Sequence, residues 1–180
     1  MDSGFVLWLT GLPGAGKSTL ANLAKERISG NGHGVEVLDG DELRRNLSPE
    51  LGFSKHDREL HARRVAYLSK LLSKHGVIVI VALISPYRES RKYARDLIGN
   101  HFAEVYVKAS PETCRKRDPK GLYRKAQEGK IANMTGMQDP YEPPLEPELV
   151  LDTETNDASH CADELYNYLT KRALVQSTQT

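Results

Sequence analysis

Residues Gly11-Leu12-Pro13-Gly14-Ala15-Gly16-Lys17-Ser18 follow the spacing G-x-x-x-x-G-K-[ST], and no other stretch restricts the fold as strongly. They lie between the apolar run Phe5-Val6-Leu7-Trp8-Leu9 and the helix-like run Thr19-Leu20-Ala21-Asn22-Leu23-Ala24. Strand, glycine loop and helix is the setting in which this spacing becomes a phosphate cradle. Glycines let the backbone turn inward so that its N–H groups converge on an anion. The helix that follows offers its positive N-terminus to the same anion. Lys17 is placed to reach the outer phosphates of a nucleotide, and the Ser18 hydroxyl to bind Mg²⁺. The alternative is a glycine-rich turn with a stray lysine, which the flanking strand and helix argue against.

Length and composition set the outer limits. A chain of 180 residues suits one domain with a real core, read here as residues 1–175 followed by a polar tail at 176–180. A net charge of +1 argues against nucleic acid or a membrane surface as a partner. The longest apolar run, Val77 to Ile84, is too short to span a bilayer. Asp2 directly follows Met1, and no signal peptide is visible. Cys114 and Cys161 both fall on helix-like segments and read as free thiols, so a cytoplasmic protein is expected.

Strand-like and helix-like segments alternate, the pattern of a parallel α/β sheet. Strands are predicted at 5–10, 34–39, 77–84, 103–107 and 148–151. Helices are predicted at 17–30, 54–75, 86–98, 111–117, 122–129 and 158–173. Ser54 with Asp57 resembles a capping box at the start of the second helix, and Gly76 ends it. The stretch 40–53 reads as a loop. The segment 115–147 opens with the basic residues Arg115, Lys116, Arg117, Lys120, Arg124, Lys125 and Lys130 and closes with Asp139-Pro140-Tyr141-Glu142-Pro143-Pro144. It is expected to be a lid that excludes water on closing; a solvated helical hairpin is the plainer alternative.

Many proteins with such a phosphate loop end a buried strand with an aspartate that helps to hold Mg²⁺. The strand at 77–84 runs instead into Ser85-Pro86, and the acids follow the second strand as Asp39-Gly40-Asp41. Gly40 is read as a tight turn that aims both carboxylates into the crevice at the sheet's carboxyl end. Asp39 is then the Mg²⁺ ligand beside Ser18, and Asp41 the base that orients and deprotonates an acceptor hydroxyl. A hydroxyl acceptor implies a small-molecule kinase using ATP and Mg²⁺. The nearby cations suggest that the acceptor is anionic. Arg44 lies three residues past Asp41, and Arg58 and His61 share one helical face. Phe53 could stack on a base, or staple the start of the helix.

Several motifs together resemble the adenylyl-sulfate kinases, from Phe5 to about Asp152. They are the phosphate loop through Thr19, Leu38-Asp39-Gly40-Asp41 with Arg44, Leu51-Gly52-Phe53-Ser54, Asp57-Arg58 and Arg63-Arg64. Ile84-Ser85-Pro86-Tyr87-Arg88, Arg117-Asp118-Pro119-Lys120-Gly121-Leu122-Tyr123 and Pro140-Tyr141-Glu142 complete the set. The resemblance implies a three-layer α/β/α P-loop kinase fold with a central five-stranded parallel sheet and a basic helical lid. It implies phosphorylation of the ribose 3′-hydroxyl of adenosine 5′-phosphosulfate by ATP. By the same resemblance, Arg44, Phe53 and Arg58 contact the acceptor, Ile84 and Ser85 lie beside it, and Lys120 reaches in from the lid. Arg117 and Asn156 border the ATP. Ser85 is assigned in the family as a phosphoserine intermediate, although direct in-line transfer needs no covalent step.

Two residues depart from the family pattern. His61 stands where the family has asparagine, and Met134, next to Thr135 on the acceptor side, where it has phenylalanine. The departures keep open a kinase for another nucleotide-like acceptor, such as cytidine diphosphoramidate. A non-catalytic nucleotide-binding relative is a third reading, opposed by the intact Lys17, Ser18, Asp39 and Asp41. Both a monomer and a homodimer fit the sequence.

Overall fold

The structure is a computed structural model and describes residues 4–29 and 34–177, the side chains of 173–177 excepted. Five strands form one wholly parallel sheet: β1 (Val6–Thr10), β2 (Val35–Asp39), β3 (Ile78–Ala82), β4 (Phe102–Lys108) and β5 (Leu149–Asp152). Their order is β2-β3-β1-β4-β5. The helices are α1 (Lys17–Ser29), α2 (Gly40–Asn46), α3 (Lys55–Lys74), α4 (Arg88–Ile98), α5 (Pro111–Arg117), α6 (Leu122–Gln127) and α7 (Ala158–Ser177). All five predicted strands and all six predicted helices are found within a few residues of their predicted bounds. Residues 30 and 178–180 of the predicted helix end and tail lie outside the described residues.

Strand periodicity explains the three layers. Side chains alternate across a strand, so Leu7 and Leu9 face one way while Val6 and Trp8 face the other. In β3, Ile78, Ile80 and Ala82 join the first face and Val79 and Val81 the second. The first face is covered by α1 and α7 and the second by α3 and α4. Both central strands are buried on both faces, which is why they read as unbroken apolar runs. Trp8 is fully buried; truncating a buried tryptophan to alanine costs about 3–5 kcal/mol.

The crossovers fix where a ligand can sit. β1 leads through α1 on one face to β2, and β3 leads through α4 on the other face to β4. These neighbouring strands therefore send their chains to opposite sides, leaving a crevice beyond their carboxyl ends. The phosphate loop leaves β1 there, and Leu83–Tyr87 leaves β3 beside it.

Two local expectations are corrected. Residues 40–46 of the expected loop form α2, because the Asp39 carboxylate accepts the Asp41 N–H and caps the helix. Gly40 is the first residue of that helix rather than a turn of unusual dihedral angles. Glycine lets the chain pack closely there: a Cβ would lie 2.8 Å from Leu83 Cδ1, the flexible end of that side chain. The Ser54 cap on α3 is confirmed: its hydroxyl accepts the Asp57 N–H at 3.1 Å, and Gly76 closes the helix with φ +81°.

Candidate active site

A cavity of about 770 Å³ fills the crevice. Pro13 to Leu20 form its floor. Gly14 and Gly16 take φ of +81° and +103°, which side chains rarely adopt, and α1 starts immediately afterwards at Lys17. Gly11 and Leu12 lie behind the floor. Their carbonyls each accept a 2.8 Å hydrogen bond from Lys17 Nζ, so the ammonium is folded back onto the loop. Burial pushes Lys17 down from 10.5 to about 8. Thr19 also lines the floor.

Arg117 and Asn156 border the same end of the cavity. Arg117 is held by Thr153, donating to its hydroxyl at 3.0 Å and to its carbonyl at 2.5 Å. The Thr153 hydroxyl in turn donates to the Ala15 carbonyl at 3.0 Å. Arg117 thus acts on the cradle through Thr153, a residue that no sequence motif signalled.

The acids close one side. Asp39 ends β2, and its carboxylate accepts the Ser18 hydroxyl at 2.6 Å. Burial raises the Asp39 pKa, but the Ser18 and Asp41 hydrogen bonds and the Lys120 charge outweigh it and hold it below the ordinary value. An ionised carboxylate beside a hydroxyl is a hard oxygen pair suited to Mg²⁺. Among the described residues no group of three or more His, Cys, Asp or Glu side chains could hold a metal. Asp41, in the first turn of α2, pairs with Lys120 from the segment 115–147.

The acceptor half lies opposite. Phe53 is 52% exposed on the cavity wall, so it is no helix staple. The Arg44 and Arg58 guanidinium groups lie 4.7 and 5.5 Å from its ring centre. Arg44 donates to the Gly52 carbonyl at 2.8 Å. Arg58 donates to the Phe53 carbonyl at 2.9 Å and to the Asn133 carbonyl at 2.5 Å, joining α3 to the lid.

His61 is 1% exposed and faces the cavity. Its Nδ1 is 2.9 Å from Ser48 Oγ, and Arg64 donates to that same oxygen at 3.3 Å. The Ser48 proton is then directed to Nδ1, which leaves Nε2–H as a donor with no protein partner. Burial, then the Arg44 and Arg64 charges, push His61 down from 6.5 to about 4.

Ile84 and Ser85 line the cavity between the two halves. Ser85 is buried with φ +38°, an unusual backbone for a residue with a side chain. Its hydroxyl accepts the Trp8 indole N–H at 3.0 Å, and the Leu83 carbonyl lies 3.5 Å away. Met134 and Thr135 are both buried on the side of the cavity formed by 115–147, and the Thr135 hydroxyl has no hydrogen-bond partner among the described residues. The Met134 carbonyl accepts the N–H groups of Met137, Gln138 and Asp139. Gly136, with φ +85°, lets this turn rest on Leu12, whose Cδ2 lies 2.8 Å from where a Cβ would be. The Tyr123 hydroxyl donates to the Pro13 carbonyl at 3.0 Å. The segment 115–147 expected to be a lid therefore touches the phosphate loop, with α6 as its own short helix.

The adenylylsulphate kinase family model matches residues 3–152. The chain belongs to the adenylylsulphate kinase family. A probable adenylyl-sulfate kinase of Aeropyrum pernix is 47% identical over 170 residues, 93% of each chain. The adenylyl-sulfate kinase of Microcystis aeruginosa is 48% identical over 168 residues, 93% of this chain and 92% of its own. Among solved structures, the Mycobacterium tuberculosis APS kinase CysC in complex with AMPPNP and APS superposes with a TM-score of 0.91. It is 39% identical and the match covers 94% of this chain and 99% of that one. As a family member the chain is an ATP-dependent phosphotransferase acting on a hydroxyl group.

Against this adenylylsulphate kinase frame, all candidate residues except Gly11 and Leu12 line one cavity. Several supports were missed by the motifs. Trp8 and Thr10 come from β1, where they read only as core residues of an apolar strand. Thr10 donates to the Ile84 carbonyl at 2.7 Å and so receives the Tyr141 hydroxyl at 3.0 Å.

Proposed function

We propose that this chain transfers the γ-phosphoryl group of ATP to the ribose 3′-hydroxyl of adenosine 5′-phosphosulfate, giving 3′-phosphoadenosine 5′-phosphosulfate and ADP. One observation carries the reading: Asp41 stands on the wall of a single cavity that holds a phosphate cradle and a cluster of two guanidinium groups around an exposed ring.

The cradle glycines and the α1 N-terminus bind the donor phosphates. Ser18 and Asp39 would hold Mg²⁺, which supplies charge neutralisation between the phosphates. Lys17 turns from its loop carbonyls to the phosphate oxygens. Arg44 and Arg58 bind the acceptor's anionic end, and its base lies against Phe53 with Met134 on the other side. Thr135 and His61 offer hydrogen bonds that no protein group uses. Asp41 takes the proton of the 3′-hydroxyl at a carboxylate oxygen as the oxygen attacks in line. Lys120 leaves Asp41 for the charge that develops on the transferred group. Ser85 orients the acceptor. Among the described residues its hydroxyl is hydrogen-bonded to the Trp8 indole and the Leu83 carbonyl rather than to a carboxylate or imidazole that could remove its proton, which favours direct transfer over a phosphoserine.

Among the described residues no helix is long and apolar enough to cross a membrane. The two buried, free cysteines suit a reducing compartment, and the cytoplasm is proposed as the site of action.

An ADP-release assay with MgATP and a panel of acceptors tests the reading. Adenosine 5′-phosphosulfate should give the highest kcat/KM by at least about tenfold. Preference for a cytidine compound such as cytidine diphosphoramidate would instead support the second reading, which His61 and Met134 motivate.

A further inference from the structure

Arg91 on α4 is 2% exposed, lies outside the cavity wall, and is not used by the mechanism above. Its guanidinium group makes three hydrogen bonds in three directions. Nε donates to Glu104 of β4 at 2.5 Å. One terminal nitrogen donates to the Ser85 carbonyl at 2.6 Å and the other to the Glu142 carbonyl at 2.7 Å. The Tyr141 ring lies 5.8 Å from the guanidinium carbon. Glu104 is itself held in place, with its N–H bonded to Glu148 at 2.7 Å and its carboxylate 3.5 Å from Arg95.

The two backbone segments that Arg91 bridges are joined again around it. The Glu142 N–H donates to the Pro86 carbonyl at 2.9 Å. The Arg88 N–H donates to the Glu142 carboxylate at 2.8 Å, and the Arg88 side chain to the Pro143 carbonyl at 2.8 Å. The bridged loop carries Ser85 in its unusual φ of +38°. A residue in that region persists only where its surroundings over-determine it.

We infer that Arg91 is a positioning residue: it clamps the acceptor loop Ile84-Ser85-Pro86 to the returning strap Tyr141-Glu142 of the lid, and so sets the direction of the Ser85 hydroxyl. Its action on the reaction rests on the acceptor assignment made above. A planar fork with fixed donors can hold three acceptors at set angles; a lysine ammonium is a point charge that cannot reproduce them. A buried cation facing a carboxylate also keeps the clamp closed without a partner from solvent.

Trp8 is the only tryptophan in the chain, and its indole N–H points at Ser85 Oγ. The indole ¹H–¹⁵N resonance therefore reports the Ser85 hydroxyl without any turnover. The experiment compares wild type, Arg91→Lys and Glu104→Gln, with Ser85→Ala marking the resonance position when that hydrogen bond is absent. In Arg91→Lys the indole resonance should move towards the Ser85→Ala position. The acceptor KM should rise at least tenfold while the ATP KM stays within twofold. Glu104→Gln keeps an oxygen for Arg91 but removes the charge. It should show the same changes at smaller size, and it carries the test if Arg91→Lys does not fold.

An unmoved indole resonance overturns the inference. So does a moved resonance with both KM values unchanged, or a fall in kcat with both KM values unchanged, which is what a merely structural role would give. If the wild type does not use adenosine 5′-phosphosulfate, the acceptor assignment fails by itself. The indole resonance of the variants then decides whether Arg91 positions Ser85.

Discussion

Lys120 of the lid holds the Asp41 carboxylate of α2 in an ion pair across the mouth of the cavity, and both side chains are about half exposed. A pair so open to water contributes only about 0–1 kcal/mol, so an incoming hydroxyl can displace the lysine at little cost. The pair keeps the proposed base near its working place. Asp41→Asn should lower kcat by about 10²–10⁴-fold, the usual share of a positioned acid or base. ATP affinity, read by calorimetry, should stay within about twofold, because the cradle is untouched. Turnover close to wild type would remove Asp41 from the chemistry.

Ser85→Ala separates positioning from covalent catalysis. Direct transfer should leave about a tenth or more of the wild-type kcat. The variant also leaves the buried Trp8 indole N–H without its acceptor, a loss of about 1–3 kcal/mol that thermal unfolding should register. Radiolabelled ATP should leave no phosphate on the wild-type protein. A trapped phosphoserine together with an inactive Ser85→Ala would establish the covalent route instead.

Lys17 should take up a proton when ATP binds. Burial holds it at about 8 in the folded protein, against 10.5 for an ordinary lysine. Between those values the unfolded chain binds more protons, so the stability of the nucleotide-free protein should rise with pH across that interval. Phosphate oxygens restore the charged form. At about pH 8.5, calorimetry in buffers of different ionisation enthalpy should show uptake of roughly three-quarters of a proton per site. No uptake would mean that the free lysine is already fully charged.

His61 should be silent near neutrality. Its pKa is pushed down from 6.5 to about 4 by burial first and then by Arg44 and Arg64. The stability it lends is therefore complete above pH 6.5 and is lost as the pH falls towards 4. Between about pH 5.5 and 7.5 the acceptor KM should show no step assignable to this imidazole. A step near 6.5 that disappears in His61→Asn would contradict its buried, neutral state.

Met134→Phe should tighten acceptor binding. Met134 is buried on the lid side of the cavity that Phe53 borders. An aromatic ring there would add stacking worth about 1 kcal/mol, or roughly a fivefold lower acceptor KM. An unchanged acceptor KM would mean that residue 134 does not meet the base.

The candidate residues that line the cavity were legible in the sequence chiefly because they belong to short local patterns. Gly11 to Ser18, Asp39 to Asp41 and Arg117 to Lys120 carry their spacing with them. The central strands were legible because burial on both faces leaves β3 with no polar residue and β1 with Thr10 alone, at its end. What stayed hidden depends on contacts between distant parts of the chain. Nothing near Trp8 announces Ser85, 77 positions later, and nothing near Ala15 announces Thr153. Helix α2 was hidden because its seven residues carry too few apolar positions for a period, and a capping aspartate reads equally well as a turn. Gly40 was singled out for the wrong reason: the sequence suggests a backbone angle, whereas the structure shows close packing against the Leu83 side chain.

That contact at Gly40 acts as a shim of zero thickness. On one side stand the end of β2 and the start of α2, which carry Asp39 and Asp41; on the other, the loop that carries Ile84 and Ser85. They meet at the flexible end of the Leu83 side chain, so a methyl group at residue 40 is absorbed by a turn of that side chain. A larger residue would part donor chemistry from acceptor seat while the sheet beneath stayed intact.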